Sequence, residues 1–283
     1  MTNMPGFRKG VRKAILGFEY WLDRVRVAGK SGHFSNFGEQ EIIQKYIEIF
    51  GIAGQGQTVV DIGAGNGYRQ SNTYHLLQQG WNVLGIEYDG RNAARLANSY
   101  KTYPKAFSCR SHVTPFNVVD LLNAYAVKKE FGILSLDIDG YDYWVLDAIL
   151  SAFRPRLIVS EYNEKIPPPV RFTVNYSDDF SLRHHFFGYS VSQLKDLLAK
   201  HDYVLLEIEF NNVFLAPAEL AGAKSVTVEQ AYREGYLERT DRKVKFKSNE
   251  NMEILHSLSP KESLEFLNEF YAEYQDEYQI GLE

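Results

Sequence analysis

The sequence predicts an α/β fold: a mostly parallel sheet that ends in an antiparallel hairpin, with helices on both faces. Three observations predict it. Apolar strand-like runs alternate with helical patterns from about residue 38 to residue 210, as βαβ units do. The last of these runs is followed almost directly by "NNVFLAP" at 211–217, and so short a link permits only an antiparallel partner. The first run ends in a glycine-rich turn, "DIGAGNG", of the kind that brings a backbone close to a ligand.

In order, the strands are "TVVDIG" at 58–63, "NVLGIEY" at 82–88, "AFSCR" at 106–110, "GILSLDI" at 132–138, "RLIVSEY" at 156–162 and "YVLLEIEF" at 203–210. Between them Leu76/Leu77, Ala93/Ala94/Leu96/Ala97, Val118/Leu121/Leu122, Val145/Leu146/Ile149 and Leu194/Leu197/Leu198 recur at helical spacing, each the apolar stripe of a crossover helix. Residues 163–189 interrupt the pattern with a run of three prolines, Pro167 to Pro169, and a cluster of rings, Phe172, Tyr176, Phe180, Phe186, Phe187 and Tyr189. A connection this long is a candidate binding loop.

The chain of 283 residues accommodates one large α/β domain with appendages. The expected organisation is a basic helical arm at 1–37, a core at 38–217 with the insertion on its substrate side, and a mainly helical extension at 218–283. Residues 7–27 read as an amphipathic helix with Val11, Ile15, Phe18 and Leu22 on one side and Arg8, Lys9, Arg12 and Lys13 among its charges. Such a helix suits packing on its own fold or on a second subunit; binding to anionic lipid is the other reading. In the extension, Ser259 to Glu262 forms a capping box with Pro260 at the first helical position. Its apolar stripe lies among acids, so the two terminal helices could join subunits in a homo-oligomer. The alternation in "RKVKFK" at 242–247 suits a strand, a hairpin arm or a solvated edge.

A net charge of −5 argues against generic nucleic-acid binding, which needs a basic face. One cysteine, Cys109, forms no internal disulfide and no zinc spacing, so a cytoplasmic setting is the simplest expectation. No apolar stretch reaches the ~20 residues of a membrane span, and the N-terminus lacks a signal-peptide pattern.

In the glycine turn, Asp61 precedes Gly63, Gly65 and Gly67, and Glu87 follows at the end of the next strand, where a carboxylate can accept both ribose hydroxyls. An NAD site would use the same logic. Here the spacing is G-x-G-x-G with an acid before it, which suits a ligand bearing ammonium or sulfonium groups and no pyrophosphate. That favours S-adenosylmethionine.

Several segments in one order, "SNFGEQEII", "DIGAGNG" with "SNT", "GWNVLGIEYD", "VTPFNVVDLL", "LSLDIDGYDYWVLDAI", "RPRLIVSEYN", "FFGYSVSQLKDLLAKHDYVLL" and "NNVFLAP", make residues 36–217 resemble class I S-adenosylmethionine-dependent methyltransferases, and more narrowly the FkbM-type group. The resemblance implies a Rossmann-like sheet. It implies that Gly63, Gly65 and Gly67 lie under the methionine and ribose of the cofactor, Glu87 on the ribose, and Ser111 and His112 near the adenine, with Asn72, Tyr88 and Asp137 completing the cofactor site. The group usually carries D-x-E-G-x-E where this chain has Asp137-Ile138-Asp139-Gly140-Tyr141-Asp142.

Asp137 and Asp139 share a strand face by period-two geometry, and the next strand ends in Glu161 and Asn163. These four are hard oxygen ligands suited to Mg²⁺ or Mn²⁺. The other reading gives Asp137 or Asp139 to the cofactor's ammonium and to capping the next helix. His184 or His185, on the insertion, is the candidate general base, with Asp139 the acid that would act beside it. The expected function is methyl transfer to an oxygen of a small polar molecule, sugar-like or natural-product in kind. An NAD-dependent oxidoreductase and a non-catalytic binding protein on the same sheet are the alternatives.

Overall fold

The structure is a computed structural model that describes residues 32–53 and 57–283. The expected helix at 7–27 lies outside the described residues. Helix α1 (Glu39–Ile49) leads into β1 (Thr58–Ile62), α2 (Tyr74–Gln78), β2 (Asn82–Glu87), α3 (Gly90–Tyr100), β3 (Ala106–Arg110), α4 (Val118–Ala124), β4 (Glu130–Leu136), α5 (Asp142–Leu150) and β5 (Arg154–Glu161). After the insertion, which contains β6 (Val170–Val174), come α6 (Leu194–His201), β7 (Tyr203–Glu209) and β8 (Asn212–Pro217). The extension holds α7 (Ala218–Ala221), α8 (Val228–Tyr232), α9 (Arg242–Lys245), α10 (Pro260–Phe270) and β9 (Tyr278–Leu282).

Seven strands form one sheet in the order β3-β2-β1-β4-β5-β8-β7. Strand β8 runs antiparallel to both β5 and β7, and the other pairs are parallel. This is the mixed, Rossmann-like sheet that the resemblance implies. The chain builds outward from β1 through β2 to β3, then returns to place β4 on the other side of β1. That reversal opens a crevice beyond the carboxyl ends of β1 and β4, where ligands bind in open α/β sheets.

Period-two alternation sorts the strand side chains to two cores. Val59, Val83, Ile133 and Leu157 pack with Ile43 of α1, Leu76 of α2 and Leu96 of α3. Val60, Leu84, Leu134 and Ile158 pack with Val118 of α4, Val145 of α5 and Leu194 of α6 on the other face. Each fully buried aliphatic side chain stabilises the fold by about 1.5–3 kcal/mol, so both layers are fixed by the same strands that carry the site.

The extension packs onto the second core through Tyr232, Tyr236, Met252, Leu255, Leu267 and Tyr271. Helix α10 begins with the expected capping box: Ser259 N–H donates to Glu262 Oε2 at 2.8 Å, and Pro260 follows. One of the alternatives falls, and one pairing is new. Residues 242–247 form no strand: Arg242 is drawn inward to Glu253 and to the Leu237 carbonyl, and the segment coils as a helix. The insertion and the extension each supply one strand, β6 and β9, and pair as a second, antiparallel sheet. No helix among the described residues is long and apolar enough to cross a membrane.

Candidate active site

The glycine turn is built by contacts that exclude side chains. Gly63, Gly65 and Gly67 have φ values of +84°, +54° and +84°, a region costly for residues with a Cβ. A Cβ on Gly63 would lie 1.6 Å from the Asp137 carbonyl oxygen, so the turn presses directly on the end of β4. Gly65 has open space beside it, and its N–H donates to Glu87 Oε2 at 2.8 Å. The other Glu87 oxygen accepts the Asp89 N–H at 2.7 Å. Burial raises the Glu87 pKa while these two N–H groups oppose the rise. Gly67 departs from expectation: a Cβ there would meet Leu96 Cδ1 at 2.6 Å, so this glycine seats α3 and does not line the cleft.

Asp61, 5% exposed, accepts the Thr73 hydroxyl at 2.6 Å, which ties the segment after the turn back to β1. Burial pushes its carboxyl up to about 6. Around this frame opens a cleft of about 430 Å³ whose walls include Asp61, Gly63, Gly65, Asn72, Glu87, Tyr88, Ser111, His112 and Asp137. The residues expected at the cofactor therefore share one cavity, Gly67 excepted.

The acidic segment after β4 is folded by its last member. Asp142, 1% exposed, accepts the Ile138 N–H at 2.9 Å and the Gly140 N–H at 3.0 Å. This staple turns the chain sharply and holds Asp139 at φ +53°. Asp137 and Asp139 thus do not share a strand face, because β4 ends at Leu136; the turn brings both to the cleft instead. From the neighbouring strand end comes Glu161, 9% exposed. One carboxylate oxygen from each of Asp137, Asp139 and Glu161 lies within 4.8 Å of the others. Glu161 Oε1 accepts Asn211 Nδ2–H at 2.7 Å, whereas the buried Oε2 has no hydrogen-bond partner.

The cluster is electrostatically costly as it stands. Burial, then Asp139 and Asp142, pushes the Asp137 carboxyl up to about 8. Burial, then Asp137 and Asp139, raises Glu161 well above the ordinary carboxylate range. Burial also raises Asp139, against which the Lys165 ammonium acts.

The fourth expected ligand also has a structural task. Asn163, fully buried, spends its amide N–H groups on the carbonyls of His185 and Phe187 at 2.9 and 3.0 Å, bracing the insertion. Neither expected base faces the cleft. His185 is 2% exposed, its Nε2 bonded to Asn251 Oδ1 at 2.8 Å, and burial followed by the Lys165 charge lowers its pKa to about 4. His184 sits on an exposed turn at φ +50°, its ring 3.8 Å from that of His185. The insertion reaches the cleft through Phe180 and Leu182 instead.

Three participants escape sequence reasoning. Tyr141 donates to the Val113 carbonyl at 3.0 Å and meets His112 Nε2 at 2.8 Å, which leaves Nδ1 as the basic nitrogen of the neutral ring. Asn211 and Lys165 reach the acidic cluster from sequence positions with no local pattern. Only Tyr141, inside the acidic segment, carried a signal.

No protein-family model matches the chain, and no curated protein matches it. Solved structures do. An S-adenosylmethionine-dependent methyltransferase from Clostridium acetobutylicum aligns with 64% of this chain and 92% of its own, at 10% identity and a TM-score of 0.42. The magnesium protoporphyrin IX methyltransferase from Synechocystis, solved with bound S-adenosylmethionine, aligns over 71% and 91% at 13% identity and 0.40. The CcbJ methyltransferase from Streptomyces caelestis aligns over 65% and 91% at 12% identity and 0.41. Likeness of this degree adds nothing to what the sheet order itself establishes.

Proposed function

We propose that this chain is an S-adenosylmethionine-dependent methyltransferase that moves the sulfonium methyl group to a hydroxyl oxygen of a small polar, sugar-like or natural-product acceptor, with Mg²⁺ or Mn²⁺ on the acceptor side. One observation carries the reading: a single cleft in which the Gly63–Gly65 turn and Glu87 adjoin the carboxylates of Asp137 and Asp139, with Glu161 behind them.

The residues fit both groups. Glu87 uses one lone pair on each oxygen for a backbone N–H and keeps the others for ribose hydroxyls. Gly65 leaves room for close approach, and a cleft of about 430 Å³ falls in the range of small-molecule sites. Toward a cation, the unpartnered and buried Glu161 Oε2 is a hard donor beside two more. A divalent ion held there would act as a Lewis acid on an acceptor hydroxyl and lower its pKa. Asp137, Asp139 and Glu161 would hold it.

The rest belongs to the chain. Asp139 borders the cleft, which His184 and His185 do not, so of the three it is the candidate base, through the carboxylate oxygen that a cation would leave free. Tyr141, Phe180 and Leu182 wall the same side and restrict water around the acceptor. Because in-line transfer depends chiefly on holding oxygen and methyl carbon in near-attack geometry, the rigid turn stapled by Asp142 supplies much of the effect. The test is release of S-adenosylhomocysteine, followed by mass spectrometry, from S-adenosylmethionine and a panel of hydroxylated acceptors with chelator or Mg²⁺. Acceptor-dependent release that chelator abolishes supports the reading. Acceptor-dependent reduction of NAD without any such release replaces it with the dehydrogenase alternative.

A further inference from the structure

Resting on the methyltransferase reading, we propose that the acceptor is amphipathic: an uncharged hydroxylated head sits at Asp139, and an apolar body leaves the cleft along Leu182, Tyr176 and Phe116. The proposal starts from two side chains out of place. Phe116 is 81% exposed and Leu182 51% exposed. Single exposed apolar residues are ordinary, but these two are continuous with the cleft. Leu182 lines it directly. The Phe116 ring stands 5.3 Å from that of Tyr176, and Tyr176 stands 4.8 Å from Tyr141, which is a cleft wall. Phe180, another wall, lies 5.9 Å from Tyr141.

The strip is a product of the tertiary fold, since its parts come from the loop after β3 and from the insertion. The insertion is anchored on both sides of these rings. Trp144 Nε1–H donates to the Val174 carbonyl at 2.7 Å, and Arg183 pairs with Glu277 at 2.9 Å. An apolar surface held in place at the mouth of a polar cleft has a use if what enters is polar at one end only.

Charge restricts the head. Asp61, Glu87, Asp89, Asp137 and Asp139 border the cleft, against Arg69 as the cation among the described lining residues. With a divalent ion on Asp137, Asp139 and Glu161 these three carboxylates still exceed its charge, and Asp61, Glu87 and Asp89 together outweigh Arg69, so a phosphate, sulfate or carboxylate head is disfavoured there. A macromolecular partner suits the strip less well, because two exposed side chains fall far below the roughly 800 Å² that each side of a stable protein interface buries. The class is thus a neutral polyol carrying an alkyl or aryl substituent, as in a glycoside.

The test uses the full chain with saturating Mg²⁺ and begins with a calorimetric titration of S-adenosylhomocysteine. Methyl β-D-glucoside, octyl β-D-glucoside and octyl sulfate, each below its micellar concentration, are then titrated into the cofactor-product complex. At about 0.8 kcal/mol, or about fourfold, per buried methylene, the octyl glucoside should bind at least about tenfold tighter than the methyl glucoside, and octyl sulfate should not bind. Phe116→Ser should cut the chain-length advantage several-fold without changing affinity for S-adenosylhomocysteine, and adding Leu182→Ser should erase it. Equal binding of the two glucosides, binding of neither, binding of octyl sulfate, or an advantage that survives the double substitution overturns the proposal. Absence of S-adenosylhomocysteine binding is a separate failure, that of the methyltransferase reading itself.

Discussion

Replacing Glu161 with glutamine removes one carboxylate from the acidic cluster while keeping its volume. In the cation-free protein this change should cost little. Burial and the neighbouring Asp137 and Asp139 raise the Glu161 pKa well above the ordinary range, which favours the uncharged form that glutamine imitates. Its Oε1, which accepts from Asn211 at 2.7 Å, is retained in the amide. Cation binding, by contrast, loses an anionic ligand. With Mg²⁺ at about 100 times its Kd, the wild-type protein should gain about 2.7 kcal/mol. For 283 residues at about 2.1 cal/mol/K of unfolding entropy per residue, that is about 4–5 °C in Tm. The pH dependence has a definite sign. Burial, Asp139 and Asp142 push the Asp137 carboxyl up to about 8 from 3.8, so the folded state keeps a proton that the unfolded chain has released, and stability without cation should fall as pH rises toward 8. A cation needs the deprotonated cluster, so its stabilisation should grow from pH 6 to pH 8. Thermal melts of both proteins with Mg²⁺ titrated at pH 6, 7 and 8 measure all of this. An equal Mg²⁺ response in Glu161→Gln, or a wild-type response that shrinks as pH rises, would show that the acidic cluster does not hold the cation.

Other substitutions separate the remaining roles. Glu87→Ala removes the acceptor for the Gly65 and Asp89 N–H groups. Because hydrogen bonds to a charged group contribute about 1.5–3 kcal/mol, S-adenosylhomocysteine affinity measured by calorimetry should drop at least about tenfold; unchanged affinity would remove Glu87 from the site. Gly63→Ala sets a Cβ 1.6 Å from the Asp137 carbonyl and adds about 1–2 kcal/mol of left-handed backbone strain, so urea unfolding should show a loss beyond that strain alone, and a smaller one would mean that β1 and β4 part easily. His184→Ala should leave the methyl-transfer rate within about twofold, whereas losing a general base costs about 10²–10⁴-fold; a loss of that size would return the base to the insertion.

The sheet was legible because its strands are short apolar runs closed by turn chemistry, and because the two-sided burial of β4 and β5 leaves continuous hydrophobic sequence. The cleft was legible at Asp61, Gly63, Gly65 and Glu87 for the same reason: local spacing determines which residues reach a strand end. What failed depended on partners far away in the chain. Asp137 and Asp139 left the expected strand face because the Asp142 carboxylate captured two backbone N–H groups. His185 turned away from the cleft because Asn251 holds its ring and Tyr271 donates to its carbonyl at 2.8 Å, both from the extension. Strand β6 exists through its pairing with β9, and no sequence pattern in a proline-started loop announces such a partner. Gly67 kept the turn's spacing, but its neighbour is α3. Nothing short of the packed structure distinguishes a glycine under a ligand from one under a helix.

The cleft between the ends of β1 and β4 should receive S-adenosylmethionine rather than a dinucleotide. Calorimetric titration of the full chain with S-adenosylhomocysteine and, separately, with NAD addresses it directly. Saturable binding of S-adenosylhomocysteine at one site per chain, weakened at least about tenfold in Glu87→Ala, is expected with no heat from NAD; saturable NAD binding with no response to S-adenosylhomocysteine would give the cleft to a dinucleotide.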